Sequence, residues 1–148
     1  VLEEGRDVVC LCEGDPFFYG SFMYLFARLS GRFDVEVVPG VTSITACAAR
    51  AGLPLAARNE RLTVLPGPLP EGELRARIEG AESVAIMKVG RHLAKIRGVI
   101  DALGFTDQAV YVERATLAEE VICPLAEAPE KAPYFSMILL TKGADPWL

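Results

Sequence analysis

Residues 6–16 read RDVVCLCEGDP, an almost unbroken apolar run from Arg6 to Cys12 halted by Glu13-Gly14-Asp15-Pro16. Successive rather than alternating apolar positions suit a strand covered on both faces, the kind found in parallel sheets flanked by helices. Working outward, Phe22, Leu25, Phe26 and Leu29 fall at helical spacing over residues 20–29, and Gly31 closes that helix. A short strand over Asp34–Val38 runs into Pro39-Gly40, and Thr42 or Ser43 caps a further helix through Ile44, Cys47 and Ala48 to Gly52. Before the run, Val1–Glu4 reads as the last turn of a helix closed by Gly5, so the chain looks truncated at its start. Strand–turn–helix units with short connections predict a parallel sheet with right-handed crossovers.

Leu53–Arg61 (LPLAARNER) has a proline, no period and charge at three of its last four positions, which marks a linker. Beyond it the rhythm resumes with strands over 62–65, 83–88 and 108–113 and helices over 73–79 and 91–103. Val121–Ala126 and Tyr134–Thr141 are strands with no helix between them, which suggests an antiparallel hairpin finishing a mixed sheet. The expectation is an α/β protein of two units: residues 1–57 with a parallel sheet remnant, then 58–148 with a mixed sheet.

Of the 148 residues, 51% are hydrophobic, which excludes intrinsic disorder. No apolar run approaches the ~18 residues of a bilayer span, so no membrane partner is expected. A net charge of −5 argues against a general nucleic-acid surface. Cys10 and Cys12 share one face of the first strand, either as small buried hydrophobes or as half of a metal site. A second ligand cluster is missing and the single His92 lies far along the chain, so no metal is expected.

Open parallel sheets bind ligands where strands end and helices begin. The loop Glu13-Gly14-Asp15-Pro16 allows close backbone approach at Gly14 and offers the Asp15 carboxylate to a ribose hydroxyl or a cation, although Gly-Asp-Pro is also an ordinary tight turn. Thr42 and Ser43 either bond a ligand or only cap their helix. Neither a G-x-x-x-x-G-K-[ST] loop nor a G-x-G-x-x-G motif occurs. One histidine gives no convincing catalytic triad. Residues 88–97 (KVGRHLAKIR) hold Lys88, Arg91, Lys95, Arg97 and His92 with no acid, and Arg91 and Lys95 share a helical face. That face is either solvated or an anion-recognition patch in an otherwise acidic chain.

CEGDPFFYGSF (12–22), VEVVPGVTSITACAARAGLPLAARNERLTVLPG (35–67), KVGRHLAKIR (88–97) and VYVERAT (110–116), in this order, resemble the tetrapyrrole methylase family. The resemblance extends over nearly the whole chain. It implies two α/β domains with S-adenosylmethionine folded into a cleft between them, and a cytoplasmic homodimer. It puts Glu13, Gly14, Asp15 and Phe18 against the cofactor, together with Thr42 and Ser43, Met87 beside the adenine, and Ala115 where many members carry glycine. Family members also open with a strand and a Gly-Pro-Gly-Asp-Pro loop, which this chain lacks.

Within the family the motifs are most similar to the branch that methylates C20 of precorrin-2 on the route to cobalamin, with S-adenosylhomocysteine as product. The alternatives are the anaerobic counterpart acting on cobalt-factor II and a non-catalytic module that keeps the cofactor site. The substrate is rich in carboxylates, and Arg58, Arg61, Arg91 and Lys95 are the candidates to bind them. No proton acceptor is nominated, so the catalytic residues are unassigned. Apolar surface left by a missing segment should cluster near residues 1–50.

Overall fold

Five apolar segments from residue 62 onward pair into one mixed sheet. The strands are β1 (Leu62–Pro66), β2 (Ser83–Met87), β3 (Ala109–Glu113), β4 (Val121–Pro124) and β5 (Ser136–Thr141), in the spatial order β1-β2-β5-β3-β4. The computed structural model describes residues 1–143. Within them the chain divides into two compact units, Val1–Ser43 and Ile44 onward.

In the second unit, α3 (Glu71–Glu79) follows β1 and α4 (Leu93–Ala102) follows β2. Leu74 and Ile78 are four apart, and Leu93, Ile96, Val99 and Ile100 keep the same helical spacing, so each helix buries one stripe. That stripe joins Val84, Ile86, Tyr111, Ile138 and Leu140 in a single core. The alternate strand positions Ala85, Val112, Met137 and Leu139 are buried as well. A sheet with both faces covered explains why these strands read as continuous apolar runs. The antiparallel hairpin is formed by β3 and β4, whereas β5 runs antiparallel to both β2 and β3 and lies between them. Sequence adjacency had joined the last two strands; burial on both faces places β5 in the centre instead.

The first unit departs from expectation. It holds a 3₁₀ turn over Leu2–Glu4, capped by left-handed Gly5, and the helix α1 (Phe22–Leu29). Arg6–Cys12 and Asp34–Val38, expected as strands, form no ladder. A strand is defined by its neighbour, and neither segment has one among the described residues. Cys10 and Cys12 are accordingly exposed rather than buried. No residue of 1–43 is buried. Of the large hydrophobics left exposed, ten fall within residues 1–50 (Val1, Val8, Val9, Leu11, Phe17, Tyr19, Tyr24, Leu25, Val38 and Val41) and four elsewhere, as anticipated. Phe17, Phe22 and Phe26 gather into an aromatic cluster, the Phe17 and Phe26 rings meeting edge-on at 4.9 Å.

The helix α2 (Ser43–Ala51) begins at the unit boundary and buries Ile44, Cys47 and Ala48. Residues 53–61 carry only a turn and lie within the second unit. No helix among the described residues is long and apolar enough to cross a membrane.

Candidate functional site

Within the first unit the two loops singled out by sequence meet. Gly14 adopts φ 76°, and a Cβ there would lie 3.5 Å from the Val41 carbonyl oxygen and 4.0 Å from the Ser43 nitrogen. Gly40 is tighter: its Cβ would stand 2.3 Å from the Gly14 oxygen, so only glycine fits. Asp15 joins the loops, its Oδ1 accepting the Phe17 amide at 2.9 Å and its Oδ2 the Gly40 amide at 3.0 Å. The Gly40 and Phe17 amides hold the Asp15 carboxyl below the usual carboxylate range. The carboxylate is a strut between loops, with lone pairs remaining for one further donor. Glu13, Gly14, Asp15, Thr42 and Ser43 are thereby brought together, and Phe18 follows with its ring edge-on to Tyr19.

The second unit contributes one edge of its sheet. β1, β2 and β3 all point the same way, and Pro66, Met87 and Glu113 close them, facing the start of β5 at Met137 and Ser136. Immediately beyond, the chain takes left-handed turns at non-glycine residues: Lys88 (φ 56°) after β2, then Arg114 (φ 47°) and Thr116 (φ 70°) after β3. Such conformations persist only where the surroundings over-determine them. Here the Gly67 amide donates to the Met87 oxygen at 2.7 Å, and a Cβ on Gly67 would lie 2.7 Å from the Lys88 oxygen. On β3, the Tyr111 hydroxyl donates to Glu113 at 2.8 Å and Arg114 pairs with the same carboxylate at 2.9 Å. Burial, then the Glu113 carboxylate, push the Tyr111 phenol up, so it stays a donor. The next turn is clamped by Glu120, which accepts the Thr116 amide and takes a bidentate grip from Arg50 of α2. Met87 is buried at one of these strand ends, and Ala115 lies between the two left-handed residues of the other.

The basic residues divide. Lys95 turns inward and donates to the carbonyls of Gly67 (2.9 Å) and Leu69. Arg97 does the same for Ala126 and Ala128. Arg61 pairs with Glu82 at the start of β1 and β2, the opposite end of the sheet from Met87. Arg58 sits in the linker at φ 46°. Of the four candidates for carboxylate recognition, Arg91 lines a cavity among the described residues, with Lys88 and His92 beside it. Helical spacing put Arg91 and Lys95 on one face; the carbonyls left open in the 67–69 loop draw Lys95 away from it.

Sequence reading missed Glu120, Tyr111 and Tyr134. Glu120 acts through Arg50, 70 positions away, which no local pattern records. Tyr134 had one signal, an aromatic pair placed directly before the most apolar strand. Among the described residues, no group of three His, Cys, Asp or Glu is placed to hold a metal ion.

A glycine-braced loop pair in one unit and left-handed turns at aligned strand ends in the other are the structural features of the candidate site. The chain belongs to the tetrapyrrole (corrin/porphyrin) methylases, the family it matches over residues 1–129. It is 51% identical over 145 residues to the precorrin-2 C(20)-methyltransferase of a Sinorhizobium species, a match covering 97% of this chain and 59% of that protein. With the cobalt-precorrin-2 C(20)-methyltransferase of Salmonella typhimurium it shares 33% identity, over 95% of this chain and 61% of the other. The uroporphyrin-III C-methyltransferase of Thermus thermophilus, solved with S-adenosylhomocysteine, superposes with a TM-score of 0.58 at 30% identity, covering 85% of this chain and 62% of that one. The chain thus spans about three fifths of the length of these relatives.

Proposed function

We propose that this chain supplies the cofactor-binding part of a cytoplasmic, homodimeric S-adenosylmethionine-dependent methyltransferase acting at C20 of precorrin-2 in cobalamin biosynthesis. The observation that carries the reading is the 51% identity with the Sinorhizobium enzyme along almost the whole chain. Two observations support a cofactor here: Gly14 and Gly40 let the two candidate loops pack backbone to backbone, and Met87 puts an apolar side chain at the end of β2. Glu13, Gly14, Asp15, Phe18, Thr42, Ser43, Met87 and Ala115 would hold it, with the domain boundary near residue 57. When bound, S-adenosylmethionine supplies an electrophilic sulfonium methyl, and S-adenosylhomocysteine is its product.

The work left to the chain is orientation. Holding two reactants in a near-attack geometry is worth about 7–11 kcal/mol, enough to carry much of the rate without a dedicated nucleophile. Asp15 fixes both first-unit loops, and the Glu120–Arg50 clamp fixes the backbone around Ala115. The second reading is the cobalt-loaded substrate, favoured by the Salmonella relative at lower identity.

Calorimetry with S-adenosylhomocysteine tests the cofactor site. Micromolar binding that weakens about tenfold or more in Asp15→Ala is expected, since charge-assisted bonds to two amides vanish. No binding at millimolar ligand would remove the reading. Turnover of metal-free against cobalt-containing precorrin-2 in parallel assays separates the two substrates.

A further inference from the structure

Ser136 opens the central strand β5 between the ends of β2 and β3, and a buried polar row crosses the sheet there. Its partner on β3 is Glu113, and Tyr111 lies two residues earlier on the same face, opposite Ile138. The Gly90 amide donates to Ser136 Oγ at 3.2 Å, and that hydroxyl donates to the Pro133 oxygen at 2.6 Å. Against it stands the Tyr111 hydroxyl, which donates to Glu113 Oε2 at 2.8 Å, while Arg114 holds Oε1 at 2.9 Å. Among the described residues the buried polar or charged side chains are Glu113, Ser136 and, at the far end of β2, Ser83. The Tyr111 ring belongs to the same apolar core as Ile86 and Ile138.

Packing alone does not call for this row. A phenylalanine would fill the Tyr111 site, and apolar side chains at 111, 113 and 136 would spare the desolvation of a carboxylate. What the row does touch is a pair of backbone turns. At one end is Gly90 (φ 38°), two residues past left-handed Lys88. At the other is Arg114 (φ 47°), whose own amide donates to the Phe135 oxygen at 2.9 Å. Such conformations persist where their neighbours over-determine them. We infer that Tyr111, Glu113 and Ser136 are positioning residues: the Tyr111 hydroxyl ties the turn after β2 to the turn after β3, so that the two strand ends keep one relative arrangement. Met87, which closes β2, and Ala115, which follows Arg114, are thereby set before a ligand arrives, and the ordering cost of binding falls. The link to binding rests on the methyltransferase reading; the coupling of the two turns does not.

The test is amide hydrogen exchange on the whole 148-residue chain, read at Gly90, at Arg114 and, as a core reference, at Leu139 of β5. Tyr111→Phe should speed exchange at both Gly90 and Arg114 by about tenfold or more, the size expected when a hydrogen bond to a charged group is lost, with Leu139 changed less than about twofold. Ser136→Ala, which removes the acceptor at the Gly90 end, should loosen Arg114 as well. Glu113→Gln keeps an acceptor for the tyrosine and should restore most of the Gly90 protection that Glu113→Ala loses. Ser83→Ala, a hydroxyl deletion at the opposite end of the sheet, should leave both turns as they are. Loosening of one turn only in Tyr111→Phe, or an equal response to Ser83→Ala, overturns the inference. The affinity for S-adenosylhomocysteine should fall about threefold or more in Tyr111→Phe, and an unchanged affinity with both turns loosened overturns the positioning role. Wild-type chain that takes up no S-adenosylhomocysteine while its turns respond together would remove the methyltransferase reading and leave the coupling standing.

Discussion

The two compact units are made of similarly apolar sequence and end in opposite states. In β2 the side chains of Val84, Ala85 and Ile86 are wholly buried, whereas Val9 and Leu11 in residues 6–12 are 82% and 92% exposed. Both stretches are near-continuous hydrophobic runs. What separates them is pairing, since β2 has a ladder on each side and residues 6–12 have none among the described residues. Apolar composition specifies that a segment should be covered; it does not supply the cover. Stability therefore resides in the second unit, while the tightest backbone approach and the Asp15 strut lie in the first.

The sharpest way to break this contrast is one truncation in each unit. Leu139→Ala, in the middle of β5, should cost about 2–5 kcal/mol in urea unfolding, because it removes a wholly buried side chain from a close-packed sheet. Leu11→Ala should change it by about 0.5 kcal/mol or less. Equal costs would mean that residues 6–12 are packed after all.

Glycines give a smaller and more specific contrast. Gly67→Ala drives a Cβ against the Lys88 carbonyl and should lower stability by about 1–3 kcal/mol. Gly40→Ala meets the Gly14 carbonyl at still shorter range, yet in a unit without a core it should leave the unfolding midpoint in place and abolish S-adenosylhomocysteine binding. A shared fall in stability would show that the two units unfold together.

The smallest effect is one of pH. Asp15 has its carboxyl held below the usual range in the folded loop, so its contribution is complete above the ordinary carboxylate value and is lost as pH falls through the lowered one. Exchange protection of the Gly40 amide should therefore hold steady near neutrality and decline only in strong acid. Asp15→Asn should flatten that dependence. A decline beginning near neutral pH would point to another group.

The second unit was legible in the sequence because its signals are local. Leu93, Ile96 and Ile100 repeat at helical spacing, and SVAIM and SMILLT are short apolar runs that read as strands. The place of β5 was not legible, since an apolar run declares burial without naming its neighbours. The first-unit strands misled for the same reason. At the candidate site, Gly14, Asp15 and the Pro39-Gly40 turn stood out by residue type, and their meeting across 25 positions is what folding adds. Lys95 shows the converse: its spacing placed it on the right face, but the carbonyls of Gly67 and Leu69 determine where its ammonium goes.

The central position of β5 also sets a timetable for folding. Before residues 136–141 leave the ribosome, the sheet exists only as two separate two-stranded pieces, β1 with β2 and β3 with β4. Pieces of that size are marginal on their own. β5 joins them by pairing Ser83 with Thr141 and Ala109 with Leu140, closures across long stretches of chain. Long-range pairing of this kind is slow. The second unit thus gains its full sheet only when β5 pairs, and until then β2 and β3 present open edges of the kind that can pair with other chains.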